Sequence, residues 1–423
     1  MKIMIVGNGG REHALGWKLE QSPFVERVIY APGNAGTARQ RKGRNVEIDP
    51  CDGARLASFA YDAHIDVTII GPELPLVAGV VDVFHWTKLP VFGPTAKAAR
   101  LESGKIFAKE FMRRHEIPTA PCRVFHHAAA ARAHCARTTL PIVIKEDGLA
   151  GGKGVAVAHT REEAYAAVEK HAAHGPILIE EFLPGEEISI ICVVSGTRVV
   201  PLVPAQDYKR LNEGDTGPMT GGMGAFAYMH LLGGELYTRI MNQIVHPTLQ
   251  GLREDEIPYA GFLYFGLMMV DGEPFVLEYN VRMGDPEAQV ILPLMRFDLA
   301  GMLNAAVTQD PLGYGVWDSR TALCTVLAAH GYPEHSRTGE RITGLSEAAE
   351  LGVTIFHSGT KALGNNVVTA GGRVLGVTAI HQSPFVARRS VLRAIEKIHF
   401  DGMHYRRDIG HLPISREIAK IAD

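Results

Sequence analysis

Three polar side chains alternate along one apolar stretch of the sequence and could together bind a cation and an anion. Glu278, Asn280 and Arg282 lie two residues apart in the segment VLEYNVRMGDPEAQ. Because side chains alternate faces along a β-strand, all three are predicted to point the same way. Carboxylate and amide oxygens suit a hard cation such as Mg²⁺, and a guanidinium suits a phosphate or carboxylate. A solvent-facing strand edge with ordinary polar alternation is the alternative, so the pattern needs support from elsewhere in the chain.

A glycine-rich loop flanked by lysines is typical of phosphate binding. The segment EDGLAGGKGV holds four glycines and a lysine between two predicted antiparallel strands, 141–145 and 155–158. Backbone N–H groups of such a loop can bind polyphosphate, while Lys153 within it and Lys145 before it add positive charge. The GxxxxGK[ST] spacing of a Walker loop is absent. A hairpin loop without a ligand is the alternative for this segment alone.

A further lysine lies at the start of a predicted helix. The segment SGKIFAKEFMRRHEIP predicts a helix with Ser103 as its N-cap and Pro118 after its end. Lys105 falls in the first turn, where a cation opposes the helix dipole. That unfavourable position suggests a nearby ligand anion, although exposed lysines are common.

The segment ILIEEFLPGEE predicts a buried strand that ends in a hinge. Two acids, Glu180 and Glu181, are followed by the apolar pair Phe182 and Leu183. Backbone groups at such a hinge can bind an adenine edge, and Glu187 shortly after it can accept ribose hydroxyls.

The first hundred residues alternate short β-branched runs with helical patterns. Strands are predicted at residues 2–6, 28–31, 46–48, 67–70 and 91–92, with helices at 11–20 and 53–64. This order is typical of a doubly wound parallel sheet. The turn GNGG after the first strand opens the first helix and could bind an anion. It is not a dinucleotide fingerprint, because Glu12 replaces the third glycine of GxGxxG, and a purely structural turn explains it equally well.

The second half of the chain predicts a long loop, a hairpin and a smaller terminal domain. The glycine-rich stretch NEGDTGPMTGGMGAF is too long for a simple turn, which favours a functional loop. A helix is predicted at 235–252, followed by a hairpin that turns at Asp271-Gly272. Strands at 321–329, 353–358 and 373–380 and a helix at 390–398 complete the α/β pattern.

Composition limits the possible partners and the compartment. The 423 residues carry 43 Lys and Arg against 46 Asp and Glu, a formal charge of −3, so no basic field favours nucleic acid or an anionic membrane. Five cysteines without a CxxC pair favour a reducing compartment. No signal peptide or 18-residue apolar span is recognisable, and we therefore expect a cytoplasmic protein.

Taken together, these features resemble the ATP-grasp ligases. Within them the chain is similar to the phosphoribosylamine–glycine ligase (glycinamide ribonucleotide synthetase) family. The resemblance rests on the motifs GNGGREHAL, APGNAGT, GPELPLVAGVVD, FGPT, DGLAGGKGV, GDTGPMTGGMGA, LEYNVRMGDPEAQ, HSGTK, GGRVLGVTA and YRRDIGH, which cover nearly the whole chain in order. It implies an α/β and α+β multidomain fold. The domains would be a doubly wound N-terminal domain (1–102), an ATP-grasp core (103–122 and 192–325), a lid (123–191) and a small C-terminal domain (326–423).

The resemblance also implies a reaction. ATP would phosphorylate the carboxylate of glycine, and the amine of 5-phosphoribosylamine would attack the acyl phosphate. The products would be glycinamide ribonucleotide, ADP and phosphate, in de novo purine biosynthesis. ATP would be needed with Mg²⁺, or alternatively Mn²⁺, and the enzyme would be a monomer.

Site residues follow from the same resemblance, position by position. ATP would be bound by Lys105, Lys145, Gly151, Gly152, Lys153, Gly154, Glu180, Phe182, Leu183 and Glu187. The metal would be bound by Glu278 and Asn280, and Arg282, Asp207 and Lys209 would act in catalysis. The substrates would contact Gly9, Gly10, Arg11, Glu12, Gly284, Asp285, Pro286, Glu287, His357, Ser358, Gly359 and Thr360.

The chain departs from the family pattern at several positions, and two other functions fit parts of it. Glu146, Met219, Val281 and Met283 replace the residues usual there, but none is a proposed phosphate or metal ligand. A related ATP-grasp ligase or carboxylase with another phosphoribosyl substrate is the nearest alternative, and ATP turnover independent of glycine would indicate it. A nucleotide-binding regulatory protein or dehydrogenase would require nicotinamide binding, against which Glu12 argues.

Overall fold

The N-terminal part of the computed structural model is a five-stranded parallel sheet. The structure describes residues 1–149, 151 and 154–411. The strand order is β3-β2-β1-β4-β5, which confirms the predicted doubly wound arrangement. The strands are β1 (Lys2–Gly7), β2 (Arg27–Pro32), β3 (Gly43–Asn45), β4 (Val67–Ile70) and β5 (Val91–Phe92). The helices are α1 (Gly10–Leu19), α2 (Gly53–Asp62), α3 (Glu73–Val77), α4 (Val80–Trp86) and α5 (Ala96–Ser103), with a 3₁₀ turn at Thr37–Arg39.

The third strand was predicted three residues too late. Gly43–Asn45 pairs with β2, whereas Ile48 leaves the sheet and packs its side chain into the core. The apolar pattern at 46–48 therefore marked burial rather than strand pairing.

A four-stranded sheet with two helices forms the lid. The helix α6 (Lys105–Arg114) precedes it. The lid contains β6 (Cys122–Phe125), α7 (Ala128–Cys135), β7 (Ile142–Glu146), β8 (Val155–Ala158), α8 (Arg161–Ala172) and β9 (Ile177–Glu181). Its strand order is β6-β9-β7-β8, and β7 and β8 form the predicted antiparallel hairpin. The lid has a small apolar core of its own.

The predicted cap of α6 was wrong. Ser103 is the last residue of α5, and Gly104 stands at the N-cap position. The backbone N–H of Ile106 instead donates to Asp147 Oδ1 at 3.1 Å. An acid from the loop after β7 therefore satisfies a free donor of the first turn.

Nine of the remaining strands form a sheet that spans the core and the C-terminal region. Its order is β17-β16-β10-β12-β15-β18-β23-β20, with β11 paired to β10, and a small sheet has the order β19-β22-β21. The strands are β10 (Glu186–Ser195), β11 (Arg198–Pro201), β12 (Ala205–Asp207), β13 (Arg210–Asn212), β14 (Thr216–Met219), β15 (Gly224–Ala227), β16 (Ala260–Val270), β17 (Glu273–Asn280), β18 (Thr321–Ala328), β19 (Arg341–Ile342), β20 (Thr354–His357), β21 (Thr360–Leu363), β22 (Asn366–Thr369) and β23 (Arg373–His381). The helices are α9 (Gly234–Ile240), α10 (His246–Glu254), α11 (Ala288–Leu294), α12 (Leu299–Thr308), α13 (Leu345–Ala349) and α14 (Pro384–Ile395), with a π-helical turn at Met241–Val245 between the first two.

Two findings refine the sequence predictions for this region. The long glycine-rich loop is in part a short β-hairpin, β13–β14, followed by β15 in the large sheet. The domain boundary predicted at 325/326 falls within β18, because the C-terminal strands continue the core sheet. The domain limits themselves stay a prediction.

The hairpin of β16 and β17 positions the strand that carries Glu278 and Asn280. Asp271 and Gly272 both have positive φ, 49° and 82°, as a two-residue hairpin turn requires. The register shifts between the Gly266–Glu278 and Leu267–Val276 pairs, so Leu277 is an extra residue, a β-bulge.

Among the described residues, no helix combines the length and the apolar composition that crossing a bilayer requires. All five cysteines lie within the described ranges and are free thiols.

Candidate active site

A cavity of about 400 Å³ lies between the N-terminal sheet, the lid and the large sheet. Most of the predicted site residues line it. They are Arg11, Lys105, Lys145, Gly151, Gly154, Glu180, Phe182, Leu183, Glu187, Asp207, Lys209, Glu278, Asn280, Arg282, Asp285 and Glu287. Gly152 and Lys153 lie outside the described residues. Gly9, Gly10, Glu12, Gly284, Pro286 and residues 357–360 do not contribute to the lining.

Glu278, Asn280 and Arg282 contact one another in sequence order. Asn280 Nδ2 lies 3.4 Å from Glu278 Oε1, and Arg282 Nη2 donates to Asn280 Oδ1 at 3.2 Å. Leu277 and Tyr279, the neighbours of Glu278 in the chain, also line the cavity. Burial alone would raise the pKa of Glu278, but the ammonium groups of Lys209 and nearby lysines lower it. The carboxylate is therefore held ionised, as a metal ligand must be.

Two acids from the N-terminal domain hold the guanidinium of Arg282. Arg282 Nη2 lies 2.8 Å from Glu102 Oε1, and Nε lies 3.4 Å from Glu73 Oε2. Glu102 also accepts the backbone N–H of Val281 at 2.7 Å. These buried pairs fix the direction of the arginine at the end of β17. Neither acid was predicted as a site residue, although Glu73 belongs to the recognised motif GPELPLVAGVVD, because only the fold brings the two acids to Arg282.

The two predicted phosphate lysines approach the cavity from different elements. Lys105 Nζ donates to Gly148 O at 2.7 Å, which ties α6 to the start of the glycine loop. Lys145 Nζ lies 2.9 Å from Glu180 Oε2 and donates to Leu277 O at 3.1 Å. Burial is the main reason that the pKa of Lys105 is lowered. Lys145 therefore contacts β17 directly, whereas Lys105 contacts the loop after β7.

The predicted adenine hinge lies at the end of β9 and has a support that sequence reasoning missed. Glu180 is buried, and its Oε2 accepts from Lys145 and from Lys109, whose Nζ lies 3.2 Å away. Its Oε1 has no hydrogen-bond partner within the described part of the chain. Phe182 and Leu183 continue the wall. Lys109 lies one helical turn after Lys105, and that i,i+4 spacing was the available signal.

A network of acids surrounds Lys209 at the middle of the cavity. Lys209 Nζ contacts Glu187 and lies 3.7 Å from Glu278 Oε1. Burial opposes the charged form, but Glu187, Asp207 and Glu278 raise the pKa of Lys209 well above its ordinary value. Burial raises the pKa of Asp207 and Glu287. One ammonium group therefore lies among several carboxyls, with Glu187 bound to it rather than open toward solvent.

At the far end of the cavity, Arg373 binds the turn that follows β17. Its Nη1 donates to Gly221 O at 2.5 Å and to the backbone oxygen of Asp285, and its Nη2 lies 3.4 Å from Asp285 Oδ2. Arg373 lines the cavity together with Arg11. Its motif, GGRVLGVTA, was recognised without a role. Burial would raise the pKa of Asp285, but Arg373 and Arg11 lower it.

Among the residues predicted from the first glycine turn, Glu12 lies outside the cavity lining and supports Arg11. Glu12 is buried, accepts the Gly9 N–H at 2.6 Å and pairs with Arg11 Nε at 2.5 Å. Arg11 Nη1 also donates to Met283 O at 3.2 Å. Glu12 therefore caps α1 and orients Arg11, and Arg11 is the member of this group that reaches the cavity.

The predicted segment 357–360 packs against the N-terminal domain. The backbone N–H of His357 donates to His13 Nδ1 at 2.8 Å, and Asn34 Nδ2 donates to His357 O at 2.8 Å. Ala35 N donates to Thr360 O at 3.4 Å. Burial and the neighbouring ring lower the pKa of His13 to about 3, and burial lowers the pKa of His357 to about 4. Both imidazoles are neutral at this domain junction.

Three of the four departures from the family pattern, those at Met219, Val281 and Met283, fall into two groups. Val281 and Met283 are buried in the apolar cores behind β17, so their differences change packing. Met219 lines the cavity and is the departure that can touch a ligand.

The parallel N-terminal sheet, the lid over the large sheet and a lysine-lined cavity between them define the ATP-grasp class. Models of three phosphoribosylglycinamide synthetase domains match this chain: the N domain at residues 1–102, the ATP-grasp (A) domain at 103–288 and the C domain at 322–412. The chain belongs to the phosphoribosylglycinamide synthetase family. Enzymes of the ATP-grasp class use ATP with a divalent metal ion.

Relatives and a solved structure agree with this assignment. The chain is 48% identical to a phosphoribosylamine–glycine ligase of Ralstonia nicotianae over 98% of its own length and all of the relative's. It is 47% identical to one of Pseudomonas aeruginosa over 99% of each chain. The crystal structure of a phosphoribosylamine–glycine ligase from Thermotoga maritima is 35% identical. It superimposes with a TM-score of 0.83 over 97% of this chain and all of the other.

Proposed function

We propose that the chain ligates glycine to 5-phosphoribosylamine through a glycyl phosphate, forming glycinamide ribonucleotide, ADP and phosphate in de novo purine biosynthesis. The observation that carries the proposal is one continuous cavity. It joins the lysine and Glu-Asn-Arg end to the arginine-rich end around Asp285 and Arg373, in a chain whose full-length relatives are named phosphoribosylamine–glycine ligase.

The first half-reaction needs cations where the phosphoryl group moves. A carboxylate becomes a good electrophile only when one of its oxygens leaves as phosphate, and charge shifts during that transfer. Lys105 and Lys145 would hold the ATP phosphates. Arg282, fixed by Glu73 and Glu102, would stabilise the acyl phosphate as its charge develops. The hinge at Glu180, Phe182 and Leu183 would bind adenine, and Glu187 the ribose.

The donor set around Glu278 and Asn280 fits a divalent metal ion. Both supply oxygen ligands, and the pKa of Glu278 is lowered. No group of three or more His, Cys, Asp or Glu suited to a metal occurs in residues 1–149, 151 and 154–411. A site with one or two protein ligands completed by phosphates and water is typical of Mg²⁺. When bound, Mg²⁺, or alternatively Mn²⁺, would neutralise phosphate charge during transfer.

The second half-reaction would take place at the arginine-rich end. Arg11 and Arg373 both line this end and carry the positive charge that a phosphoribosyl phosphate needs. Asp207, Lys209 and the turn from Gly284 to Glu287 would lie near glycine and the attacking amine. Two further segments would contribute by positioning other parts of this end. Gly9 and Gly10 would position Arg11, and the loop with His357, Ser358, Gly359 and Thr360 would position the junction with the N-terminal domain. No contact with nucleic acid or a membrane is part of this proposal.

The direct test supplies purified protein with ATP, Mg²⁺, glycine and phosphoribosylamine made in situ. Detection of glycinamide ribonucleotide by mass spectrometry would support the proposal. If no glycinamide ribonucleotide forms, the proposal is overturned. ATP turnover that does not depend on glycine would indicate a different ATP-grasp ligase or carboxylase. We also propose a monomer in a reducing, cytoplasmic compartment. The five free thiols support the reducing compartment, and light scattering of the pure chain tests the oligomeric state.

A further inference from the structure

A fully buried arginine from the end of the described chain holds the hairpin that carries Lys209. Residues 208–221, here called the flap, contain β13 and β14, and residues 404–410, here called the strap, cross beneath it. The side chain of Arg406 in the strap is 0% exposed. It lies outside the cavity lining, and the proposed reaction assigns it no role.

The guanidinium of Arg406 binds both the flap and its own segment. Nη1 donates to Arg210 O at 3.1 Å and to Asp215 Oδ1 at 2.8 Å. Nε and Nη2 form a bidentate pair with Asp408 at 2.8 and 2.7 Å, and the group lies 5.1 Å from the centre of the Tyr208 ring. This planar fork fixes direction as well as distance.

Neighbouring strap residues repeat the same connection. Asp408 Oδ2 accepts the backbone N–H of Gly214 at 2.9 Å, and Arg407 N donates to Glu213 Oε1 at 3.0 Å. His404 Nε2 lies 3.0 Å from Leu211 O. The strap therefore contacts the flap at several points. Apart from these contacts, residues 213–218 of the flap are exposed to solvent.

The flap transmits this anchoring to the cavity. Thr220 N and Oγ1 both donate to Lys209 O at 2.8 Å, so the two ends of the flap are joined. Lys209, Met219, Thr220 and Gly221 all line the cavity. A shift of the flap base would therefore move Lys209 relative to Glu278 and the proposed glycine position.

We propose that Arg406 is a positioning residue that sets the place of Lys209 and Thr220 for the glycine step. The glycine part rests on the proposed function. Buried ion pairs contribute little to stability compared with apolar replacements, so geometric specificity is a reason to keep one. Of the two carboxylates that pair with Arg406, the side chain of Asp215 is 52% exposed and that of Asp408 is 23% exposed. Water can therefore solvate both carboxylates when the arginine is removed.

The test compares Arg406→Met and Arg406→Lys with Arg337→Met. Arg337 also pairs with two carboxylates, Glu340 and Asp401, but it is 56% exposed and neither carboxylate belongs to the flap or the strap. We expect kcat/KM for glycine to fall about 10²-fold in Arg406→Met, as a misplacement of about 1 Å can cause. The Kd for ATP should change less than about 2-fold. Arg406→Lys should recover part of the loss, and Arg337→Met should behave as the unchanged chain.

A second readout does not depend on the substrate. Amide hydrogen exchange in residues 208–221 should become faster in Arg406→Met, while exchange in α8 of the lid stays the same. If Arg406→Met does not fold, Asp408→Asn replaces it and should give the same pattern to a smaller degree.

Equal losses for ATP and glycine, or unchanged flap exchange in a folded variant, would overturn the positioning role. Failure of the unchanged chain to form glycinamide ribonucleotide would overturn the proposed function instead. Flap exchange would still show whether Arg406 holds the hairpin.

Discussion

The two ends of the cavity are built in different ways. At the nucleotide end, the strand β17, the hairpin β7–β8 and the end of β9 each carry several ligand candidates within a few consecutive residues. At the other end, Arg11, Asp285 and Arg373 come from three segments that lie at least 88 residues apart and meet only in the folded chain. Local strand geometry thus organises one end, whereas contacts between domains organise the other. The two ends should therefore fail in different ways when single residues are changed.

The largest effect is expected at the nucleotide end, for Glu278→Gln. Removing one carboxylate charge from the proposed metal site should lower turnover about 10³-fold, whereas the fold should survive because the change is nearly isosteric. ADP formation and a thermal melt measure the two quantities. Glu273→Gln, an exposed acid on the same strand that pairs with Arg239, is the control. Normal activity of the Glu278 variant would refute the metal assignment.

At the other end, Arg373→Met should separate the two half-reactions. The partly buried Asp285 loses its closest cation, and Gly221 loses a hydrogen bond. Because an unpaired buried charge costs about 2–5 kcal/mol, we expect KM for phosphoribosylamine to rise about 10²-fold, with the Kd of ATP nearly unchanged. Steady-state kinetics and a nucleotide-binding titration measure this. Equal weakening of both ligands would show that the two ends are not independent.

The same contrast explains what the sequence could predict. Glu278, Asn280 and Arg282 were recognisable because strand alternation is a local rule, and the order of their contacts agrees with it. The bulge at Leu277 could not be predicted, because it depends on the register with the partner strand. Glu73, Glu102 and Lys109 were missed because only the fold brings them beside Arg282 and Glu180.

The junction between the N-terminal domain and residues 357–360 shows a limit of prediction from family motifs. Glu12 and His357 were assigned to substrate through family resemblance, and that role stays a prediction; the structure shows them buried in contacts that cap α1 and join two domains. Motif matching identifies that a residue matters. It does not distinguish a residue that contacts a ligand from a residue that supports such a neighbour.

The contribution of this domain junction to the free energy of unfolding should also depend on pH, which distinguishes the junction from the nucleotide end of the cavity. His13 and His357 are neutral when folded, with pKa values of about 3 and about 4, against the ordinary value of 6.5. Below pH 6.5 the unfolded chain binds more protons, so stability should fall as pH decreases toward 4. From pH 6.5 to 5 each histidine would cost about 2 kcal/mol.

His13→Asn isolates that effect. The amide oxygen can still accept the His357 N–H but cannot titrate, so denaturant unfolding between pH 7 and 5 should show a smaller loss of free energy than in the unchanged chain. His64→Asn is the control, because His64 is exposed and has the positive φ of 52° that asparagine tolerates. An unchanged pH slope in His13→Asn would show that this pair is not the source.

The smallest effect returns to the nucleotide end, where Lys109→Met removes the long-range support of the adenine hinge. Glu180 keeps Lys145 as its partner at 2.9 Å, so its carboxylate stays paired and the loss should be limited to its orientation. We expect KM for ATP to rise about 3-fold, equivalent to less than about 1 kcal/mol, with KM for glycine unchanged. Lys97→Met removes an exposed lysine that binds backbone oxygens at 255–256 and should leave both constants unaltered. A large loss in Lys109→Met would mean that the nucleotide end, like the junction, depends on contacts that strand geometry does not encode.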